Sequence, residues 1–143
     1  KLIEASQAGV YIDMEVRGIC CLRAGVPDET ENIHIISIVG RYLEHSRIYI
    51  FGQGERARYY IGSADWMTRS TLRRVEIAAP VTAPALKARL QHIFDTMLAD
   101  NCNARVQQPD GSYVRRMPGA DAVACQAQFY EEAYQANVHS SLK

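Results

Sequence analysis

The stretch that decides the fold of this chain is Arg41-Tyr-Leu-Glu-His45-Ser-Arg47-Ile-Tyr-Ile-Phe51-Gly. Residues 47–51 are rich in β-branched and aromatic side chains, and a short glycine-bracketed loop separates them from a similar run at 58–61. This pattern predicts a strand, a loop and a partner strand. The second run opens into Gly62-Ser63-Ala64-Asp65-Trp66-Met67. The H-x-R motif at the start of one strand and the G-S motif at the end of the next are therefore expected to meet at one edge of the sheet.

Three polar groups gathered at that edge would suit a phosphoryl group. The imidazole of His45 can act as a nucleophile or as an acid or base. The guanidinium of Arg47 neutralises non-bridging oxygens, and the hydroxyl of Ser63 can donate a hydrogen bond at the strand end. The sequence thus predicts an anion site around these residues.

Composition limits the classes of function. The 143 residues suffice for one compact domain with a core. The formal net charge is zero, so bulk charge gives no argument for a nucleic-acid partner, and no long uncharged apolar run predicts a membrane span. Basic residues crowd the segment from 41 to 74, where any anion site is expected. The four cysteines include no C-x-x-C pair, which favours reduced thiols in a cytosolic protein and gives no metal site.

The beginning of the chain has the pattern of an α/β unit. Residues 2–8 resemble the end of a helix stopped by Gly9, and 10–16 alternate like a half-buried strand that ends at Arg17-Gly18. Ligands in such folds bind beyond the carboxyl ends of strands, where Arg17 stands. A surface arginine paired with a carboxylate is an equally good interpretation. Because the sequence begins inside a helix, we expect it to be a fragment of a longer chain.

The remaining elements predict an α/β fold with a mixed sheet flanked by helices, in a single domain over residues 1–143. Strands are expected at 34–39 and 73–79, an amphipathic helix at 86–98, a hairpin at 104–106 and 112–115, and a last helix at 120–137. If 73–79 is a strand, Arg73 and Arg74 point to opposite faces.

Four motifs in order resemble the C-terminal domain of bacterial polyphosphate kinase. They are Ala5-Ser-Gln-Ala-Gly9-Val, Val16-Arg-Gly-Ile-Cys-Cys-Leu22, Ser37-Ile-Val-Gly-Arg-Tyr-Leu-Glu-His-Ser-Arg-Ile-Tyr49 and Gly62-Ser-Ala-Asp-Trp-Met67. That domain is similar to the phospholipase D superfamily, whose signature is H-x-K followed by G-S-x-N. Here Arg47 replaces the lysine, Asp65 replaces the asparagine, and Gly52 stands where the superfamily has the aspartate that orients its histidine. These departures are consistent with the kinase branch.

The resemblance implies reversible transfer of the terminal phosphate of ATP to a polyphosphate chain, with Mg2+ whose ligands lie outside this chain. It also implies a phosphorylated histidine in a preceding domain. By position, Arg17 and His45 match nucleotide-binding residues, and His45 has a catalytic role in donating a hydrogen bond or proton to the leaving phosphate oxygen. Arg47 and Ser63 are candidates for phosphate contacts, and Arg41 and Arg74 are candidates to track the polymer.

The implied partners are ATP, ADP, inorganic polyphosphate, the remaining domains of the kinase and further copies of the full-length chain. The implied location is cytoplasmic, or peripheral to the membrane. We expect the imidazole of His45 and the guanidinium of Arg17 to project into a common anion-lined hollow. Two alternatives remain open. One is a phospholipase D-like phosphodiesterase or nuclease that completes its site by dimerising, and the other is a non-catalytic module that binds nucleotide or polyphosphate.

Overall fold

The structure, a computed structural model, describes the backbone of residues 1–141 and the side chains of residues 1–138. The helices in this part of the chain are α1 (Leu2–Gln7), α2 (Thr68–Arg73), α3 (Pro84–Ala99) and α4 (Cys125–Ser141). The strands are β1 (Ile12–Glu15), β2 (Ile33–Ile38), β3 (Ile48–Phe51), β4 (Arg58–Gly62), β5 (Ala78–Val81), β6 (Ala104–Gln107) and β7 (Tyr113–Arg115). A short 3-10 helix spans Gly54–Arg56.

Two compact units divide the chain. Unit 1 comprises Lys1–Glu44 and Thr96–Lys143, and unit 2 comprises His45–Asp95. Unit 1 holds a mixed sheet in the order β1-β2-β6-β7, in which only the pairing of β1 with β2 is parallel among the described strands. Unit 2 holds an antiparallel sheet in the order β3-β4-β5. The predicted α/β class is confirmed, with the strands divided between two sheets.

The core of unit 1 is built on β2. Ile33 and Ile35 are completely buried and pack with Ala24, while apolar side chains of α1, β1 and the segment after it cover them. The covering residues are Leu2, Ile12, Met14, Val16, Cys20 and Leu22. Because β1 and β2 run parallel, their carboxyl ends lie at the same edge of the sheet, and Arg17 follows β1 at that edge.

A buried carboxylate organises the connection from α3 to β6 and the start of α4. Asp100 is 0% exposed. Its Oδ1 accepts the backbone N–H groups of Cys102, Asn103 and Ala104 at 3.1, 2.7 and 3.0 Å. Its Oδ2 accepts the N–H of Cys125 at 2.9 Å. The last predicted helix therefore begins at Cys125 rather than at 120, since this hydrogen bond caps the amino terminus of α4.

The sheet of unit 2 begins with the hairpin that the sequence predicted. Tyr49 pairs with Tyr60, and Phe51 pairs with Arg58, in an antiparallel register. Gly52 has a φ of +82°, which the tight reversal after β3 requires. On the far side of the sheet, the hydroxyl of Tyr59 donates to Oε1 of Gln91 on α3 at 2.7 Å.

The predicted strand at 73–79 is wrong. Residues 68–73 form α2, and β5 begins only at Ala78, which pairs with Gly62. The alternating signal came from Val75 and Ile77, which are 99% and 69% exposed in the connection between α2 and β5. Branched side chains without a neighbouring strand do not form a ladder. Arg73 therefore ends a helix, and the prediction that Arg73 and Arg74 alternate across a sheet fails.

The other predicted elements agree with the structure. Helix α1 precedes Gly9, helix α3 begins at Pro84, and β6 and β7 form the hairpin around Gly111, whose φ is +87°. Within the described residues, none of the helices is both long enough and apolar enough to cross a membrane.

Candidate functional site

The H-x-R and G-S motifs meet at one edge of the unit 2 sheet, as predicted. The register of β3 and β4 pairs Ile48 with Ile61, and the next pair brings the N–H of Gly62 to the carbonyl oxygen of Arg47 at 2.9 Å. His45 lies two residues before Arg47 and is exposed. The pairing of β3 with β4 therefore fixes the position of the Arg47 backbone, from which its side chain extends.

The side chain of Arg47 connects His45 with Asp65. Its Nε donates to Oδ1 of Asp65 at 3.1 Å. Its Nη1 lies 3.3 Å from Nδ1 of His45 and donates to the carbonyl oxygen of His45 at 3.3 Å. The guanidinium side chain is only 17% exposed, so this ion pair is partly shielded from water. Two of the three departures from the superfamily signature, Arg47 and Asp65, thus form one ion pair.

Ser63 is held by Glu76 rather than standing free. Its hydroxyl donates to Oε2 of Glu76 and accepts the backbone N–H of Ile77 at 3.0 Å. The backbone of Ser63 also donates to the carbonyl oxygen of Ile77 at 3.0 Å. The serine therefore ties the end of β4 to the segment before β5. A contact with a ligand would have to share its hydroxyl with Glu76.

Tyr49 and Trp66 support the loop that carries Asp65. The hydroxyl of Tyr49 donates to the carbonyl oxygen of Ala64 at 2.7 Å. Its ring stacks on Trp66 with centroids 5.5 Å apart and an interplanar angle of 11°. Burial raises the pKa of Tyr49, so this phenol keeps its proton as a hydrogen-bond donor. A Cβ at Gly62 would lie 2.8 Å from Cε2 of this ring, which explains the glycine of the G-S motif.

Arg17 belongs to unit 1, where its charge acts on the carboxyl group of Glu15. Its Nη1 donates to the carbonyl oxygen of Glu44 at 2.8 Å. Burial, with a smaller contribution from the negative charge of Glu44, raises the pKa of Glu15 to about 7, although the N–H of Ile38 and the charge of Arg17 act to lower it. Oε1 of Glu15 accepts the N–H of Ile38 at 3.4 Å.

The segment that ends at Glu44 is bound to α4 by one glutamine. Oε1 of Gln126 accepts the N–H of Tyr42 at 2.9 Å, and its Nε2 donates to the carbonyl oxygen of Tyr42 at 2.8 Å. Nε2 also donates to Oε1 of Glu44 at 2.6 Å. A Cβ at Gly40 would collide with the amide of Gln126 in this position, so a side chain there would displace the amide from its contacts with Tyr42. The carbonyl that accepts from Arg17 therefore lies in a firmly held segment.

The predicted site residues fall in two separately described units. His45, Arg47 and Ser63 lie in unit 2, where the strand pairing gathers them, and Arg17 lies in unit 1. The common hollow for Arg17 and His45 stays a prediction. Arg41 and Arg74 are both exposed, and the guanidinium of Arg41 lies 5.7 Å from the ring centroid of Tyr42.

Two acidic residues to which the sequence motifs gave no role, Asp65 and Glu76, take part in the site. Both fall within or next to the most basic segment of the chain, and an acidic residue among basic ones is the sequence feature that could have indicated an ion pair or hydrogen bond there. Within residues 1–138, no group of three or more His, Cys, Asp or Glu side chains could hold a metal ion.

A solved structure shares this mixed α/β fold. The crystal structure of polyphosphate kinase from Porphyromonas gingivalis matches 94% of the chain with a TM-score of 0.88 and 38% sequence identity. The family model for polyphosphate kinase C-terminal domain 2 matches residues 1–128. The chain belongs to the polyphosphate kinase family, whose C-terminal domain it contains.

Curated relatives agree with this assignment. The chain is 57% identical over 119 residues to polyphosphate kinase of Synechocystis sp. and 48% identical over 136 residues to that of Bacillus anthracis. These alignments cover 83% and 94% of the chain but 16% and 19% of those relatives. The crystal structure is likewise covered over 21% of its chain. The chain therefore spans about a fifth of the length of the proteins that it matches.

Proposed function

We propose that this chain acts as the C-terminal domain of a polyphosphate kinase that reversibly transfers the terminal phosphate of ATP to polyphosphate. The observation that carries the proposal is the match of residues 1–128 to the C-terminal domain of that family. In this proposal the domain supplies contacts to the nucleotide and to phosphate oxygens. The phosphorylated histidine belongs to another domain, so the isolated chain binds ATP weakly and does not phosphorylate itself.

His45 is the proposed catalytic residue, and Arg17, Arg47 and Ser63 are the proposed phosphate contacts. Phosphoryl transfer depends mainly on positioning and on neutralising charge, which imidazole and guanidinium groups can provide. A guanidinium has five N–H donors, so the hydrogen bonds of Arg47 to Asp65 and His45 leave donors for phosphate oxygens. Arg17 donates to the carbonyl oxygen of Glu44 at 2.8 Å, which holds its guanidinium just after the carboxyl end of β1. Arg41 and Arg74 are proposed to follow the polymer.

Magnesium is proposed to arrive with ATP, bound by phosphate oxygens and by residues outside this chain. The two carboxylates nearest to the candidate site do not offer a free ligand set, because Asp65 pairs with Arg47 and Glu76 accepts from Ser63. The proposed partners are ADP, polyphosphate, the other domains of the kinase and further copies of the full-length chain. The proposed location is the cytoplasm.

Removing the charge at position 17 tests the proposal. In a full-length polyphosphate kinase carrying this domain, Arg17→Met is expected to raise the KM for ATP roughly 10- to 100-fold, since a hydrogen bond to a charged group contributes about 1.5–3 kcal/mol. Arg23→Met is the matched control, because Arg23 is an exposed arginine of the same unit. An unchanged KM in Arg17→Met would remove Arg17 from the nucleotide site.

A phosphodiesterase assay separates the kinase from the hydrolase alternative. A phospholipase D-like hydrolase needs two H-x-K motifs, so this chain would have to dimerise to hydrolyse a phosphodiester. The kinase proposal expects the 143-residue chain to show no hydrolysis of a chromogenic phosphodiester in any fraction from sizing chromatography. Hydrolysis confined to a dimer peak and lost in His45→Ala would favour the hydrolase.

A further inference from the structure

We infer that Asp65 is a positioning residue that acts through Arg47 to hold His45 as a neutral imidazole presenting Nε2–H to its ligand. The inference deepens the proposed function and rests on it for the identity of that ligand, a phosphate oxygen. All three residues lie in unit 2, and their contacts are within one short segment of sheet edge.

The direction of the hydrogen bond between Arg47 and His45 follows from chemistry. Every nitrogen of a guanidinium is a donor, and none can accept. Nη1 of Arg47 lies 3.3 Å from Nδ1 of His45, and a hydrogen bond between these two atoms requires Nδ1 to accept, with its lone pair towards the arginine. A neutral imidazole carries its single proton on one nitrogen, so an acceptor Nδ1 places that proton on Nε2.

Asp65 fixes the arginine that makes this selection. Its Oδ1 accepts from Nε of Arg47 at 3.1 Å, and Arg47 is 17% exposed on its side chain. The loop around Asp65 is itself anchored, since its carbonyl oxygen accepts the N–H of Met67 at 2.8 Å. The hydroxyl of Tyr49 holds the preceding residue, Ala64, at 2.7 Å. These hydrogen bonds hold the carboxylate of Asp65 in place, so that it orients the guanidinium of Arg47.

This arrangement favours a hydrogen-bond donor over a proton donor as the role of His45. A doubly protonated imidazole would set an N–H of its Nδ1 against the N–H donors of Arg47, and two donors cannot share a hydrogen bond. The neutral form fits without conflict. His45 is thus a hydrogen-bond donor through Nε2 that stabilises charge on the leaving phosphate oxygen, and its proton stays on the ring throughout the transfer.

The pair Arg47 and Asp65 also gives a physical reason for the arginine and the aspartate that replace the lysine and asparagine of the superfamily signature. A lysine at position 47 has one ammonium at the end of a flexible stem, whereas a guanidinium bonds two partners in a fixed planar geometry. Only the planar group reaches His45 with one nitrogen and Asp65 with another.

Nitrogen NMR of the histidine rings tests the inference in the 143-residue chain, at neutral pH and without ligand. In the wild type, the Nδ1 resonance of His45 is expected at the position of an unprotonated acceptor and the Nε2 resonance at that of a protonated nitrogen. Asp65→Asn is expected to move both resonances towards the average of the two tautomers. Glu55→Gln, an exposed carboxylate of the same unit, is expected to leave them unchanged.

The rings of His34 and His92 report whether the fold survives, and unchanged resonances from both validate the Asp65→Asn result. If that variant does not fold, Arg47→Lys carries the same test, with the same expected movement. A wild-type spectrum with the proton on Nδ1, or His45 resonances that neither variant moves, would overturn the inference.

Activity in a full-length kinase separates failure of this inference from failure of the proposed function. His45→Gln keeps an N–H donor near the place of Nε2 but cannot supply a proton, so it is expected to synthesise polyphosphate at least about tenfold faster than His45→Ala, the order of one hydrogen bond. Equal, low rates in both variants would overturn the hydrogen-bond role while leaving the kinase function intact. Wild-type rates in both would defeat the proposed role of His45, whatever the NMR shows.

Discussion

At the scale of single residues, Gly62 is the position where one methyl group would disturb the candidate site. An added Cβ would lie 2.8 Å from Cε2 and 3.4 Å from Oη of Tyr49, and 3.3 Å from the carbonyl oxygen of Ile77. The ring of Tyr49 cannot move away easily, because it stacks on Trp66 and donates to Ala64. The carbonyl is backbone and pairs with Ser63.

Gly62→Ala is therefore expected to lower the free energy of unfolding by about 1–3 kcal/mol, the usual range for overpacking. Denaturation in urea measures the change. Gly119→Ala is the matched control, since no atom lies within 4 Å of its added Cβ, and it should stay within about 0.5 kcal/mol of the wild type. A Gly62→Ala variant as stable as this control would contradict the close packing around Tyr49.

Glu15 gives a prediction about pH. Its pKa lies at about 7 in the folded chain, above its usual value of 4.5, because burial and the nearby charge of Glu44 disfavour the carboxylate. Between the unfolded and the folded pKa, the folded chain keeps a proton on Glu15 that the unfolded chain has lost. The stability that this adds is therefore fully present below the unfolded pKa and is lost as pH rises through the folded pKa. The free energy of unfolding should therefore fall between pH 4.5 and about 7.

Glu15→Gln should remove this part of the pH dependence, because the amide does not ionise. Chemical denaturation across that pH window measures it. Glu31→Gln, which changes an exposed carboxylate of the same unit, should retain the wild-type slope. An equal slope in wild type and Glu15→Gln would show that another group titrates.

Which residues of the candidate site come together was partly predictable from the sequence. The H-x-R and G-S motifs were expected to meet, and the bond between Gly62 N–H and the Arg47 carbonyl oxygen confirms it. The pairing of Arg47 with Asp65 was not predictable, because it depends on how the loop after β4 bends. Nothing in local propensity specifies that bend, whereas Tyr49 and Trp66 do so through contacts across the sheet.

At the scale of elements, Asp100 joins the end of α3, the start of β6 and the amino terminus of α4. Burial acts to raise the pKa of Asp100, but hydrogen bonds from the backbone of Asn103, Cys125 and Ala104 outweigh it and lower the pKa. A lowered folded pKa adds stability that is present above the unfolded pKa and is lost as pH falls through the folded value.

Asp100→Asn is expected to destabilise the chain by about 2–4 kcal/mol, because the amide nitrogen would face the N–H of Cys125 or that of β6 and leave a buried donor unpaired. Thermal or chemical denaturation measures the loss. Asp121→Ala, an exposed aspartate before α4, should change stability by less than about 0.5 kcal/mol. Equal stabilities of the two variants would contradict the capping role of Asp100.

Helices and hairpins marked by strong local signals were predictable, such as α3 after Pro84 and the hairpin around Gly111. The segment 73–79 was not, since its alternating residues face solvent in a connection. Strand formation there depends on whether a partner strand is available, and the segment pairs with β4 only from Ala78 onward.

At the scale of the whole molecule, the strands divide between a mixed sheet in unit 1 and an antiparallel sheet in unit 2. The sequence predicted the α/β class and one mixed sheet in a single domain. The division could not be predicted, because the choice of partner for β2 and β4 depends on contacts between distant segments. The single domain over residues 1–143 stays a prediction, as do the roles of Arg17 and His45.

The most direct test of the central claim, that His45 supports phosphoryl transfer, is the rate of polyphosphate synthesis from ATP in a full-length kinase carrying His45→Ala. The predicted result is a loss of roughly a hundredfold to a thousandfold, the effect of removing one donor that stabilises developing charge. His92→Ala, an exposed histidine on α3, should retain the wild-type rate. A His45→Ala enzyme that makes polyphosphate as fast as the His92→Ala control would contradict the account.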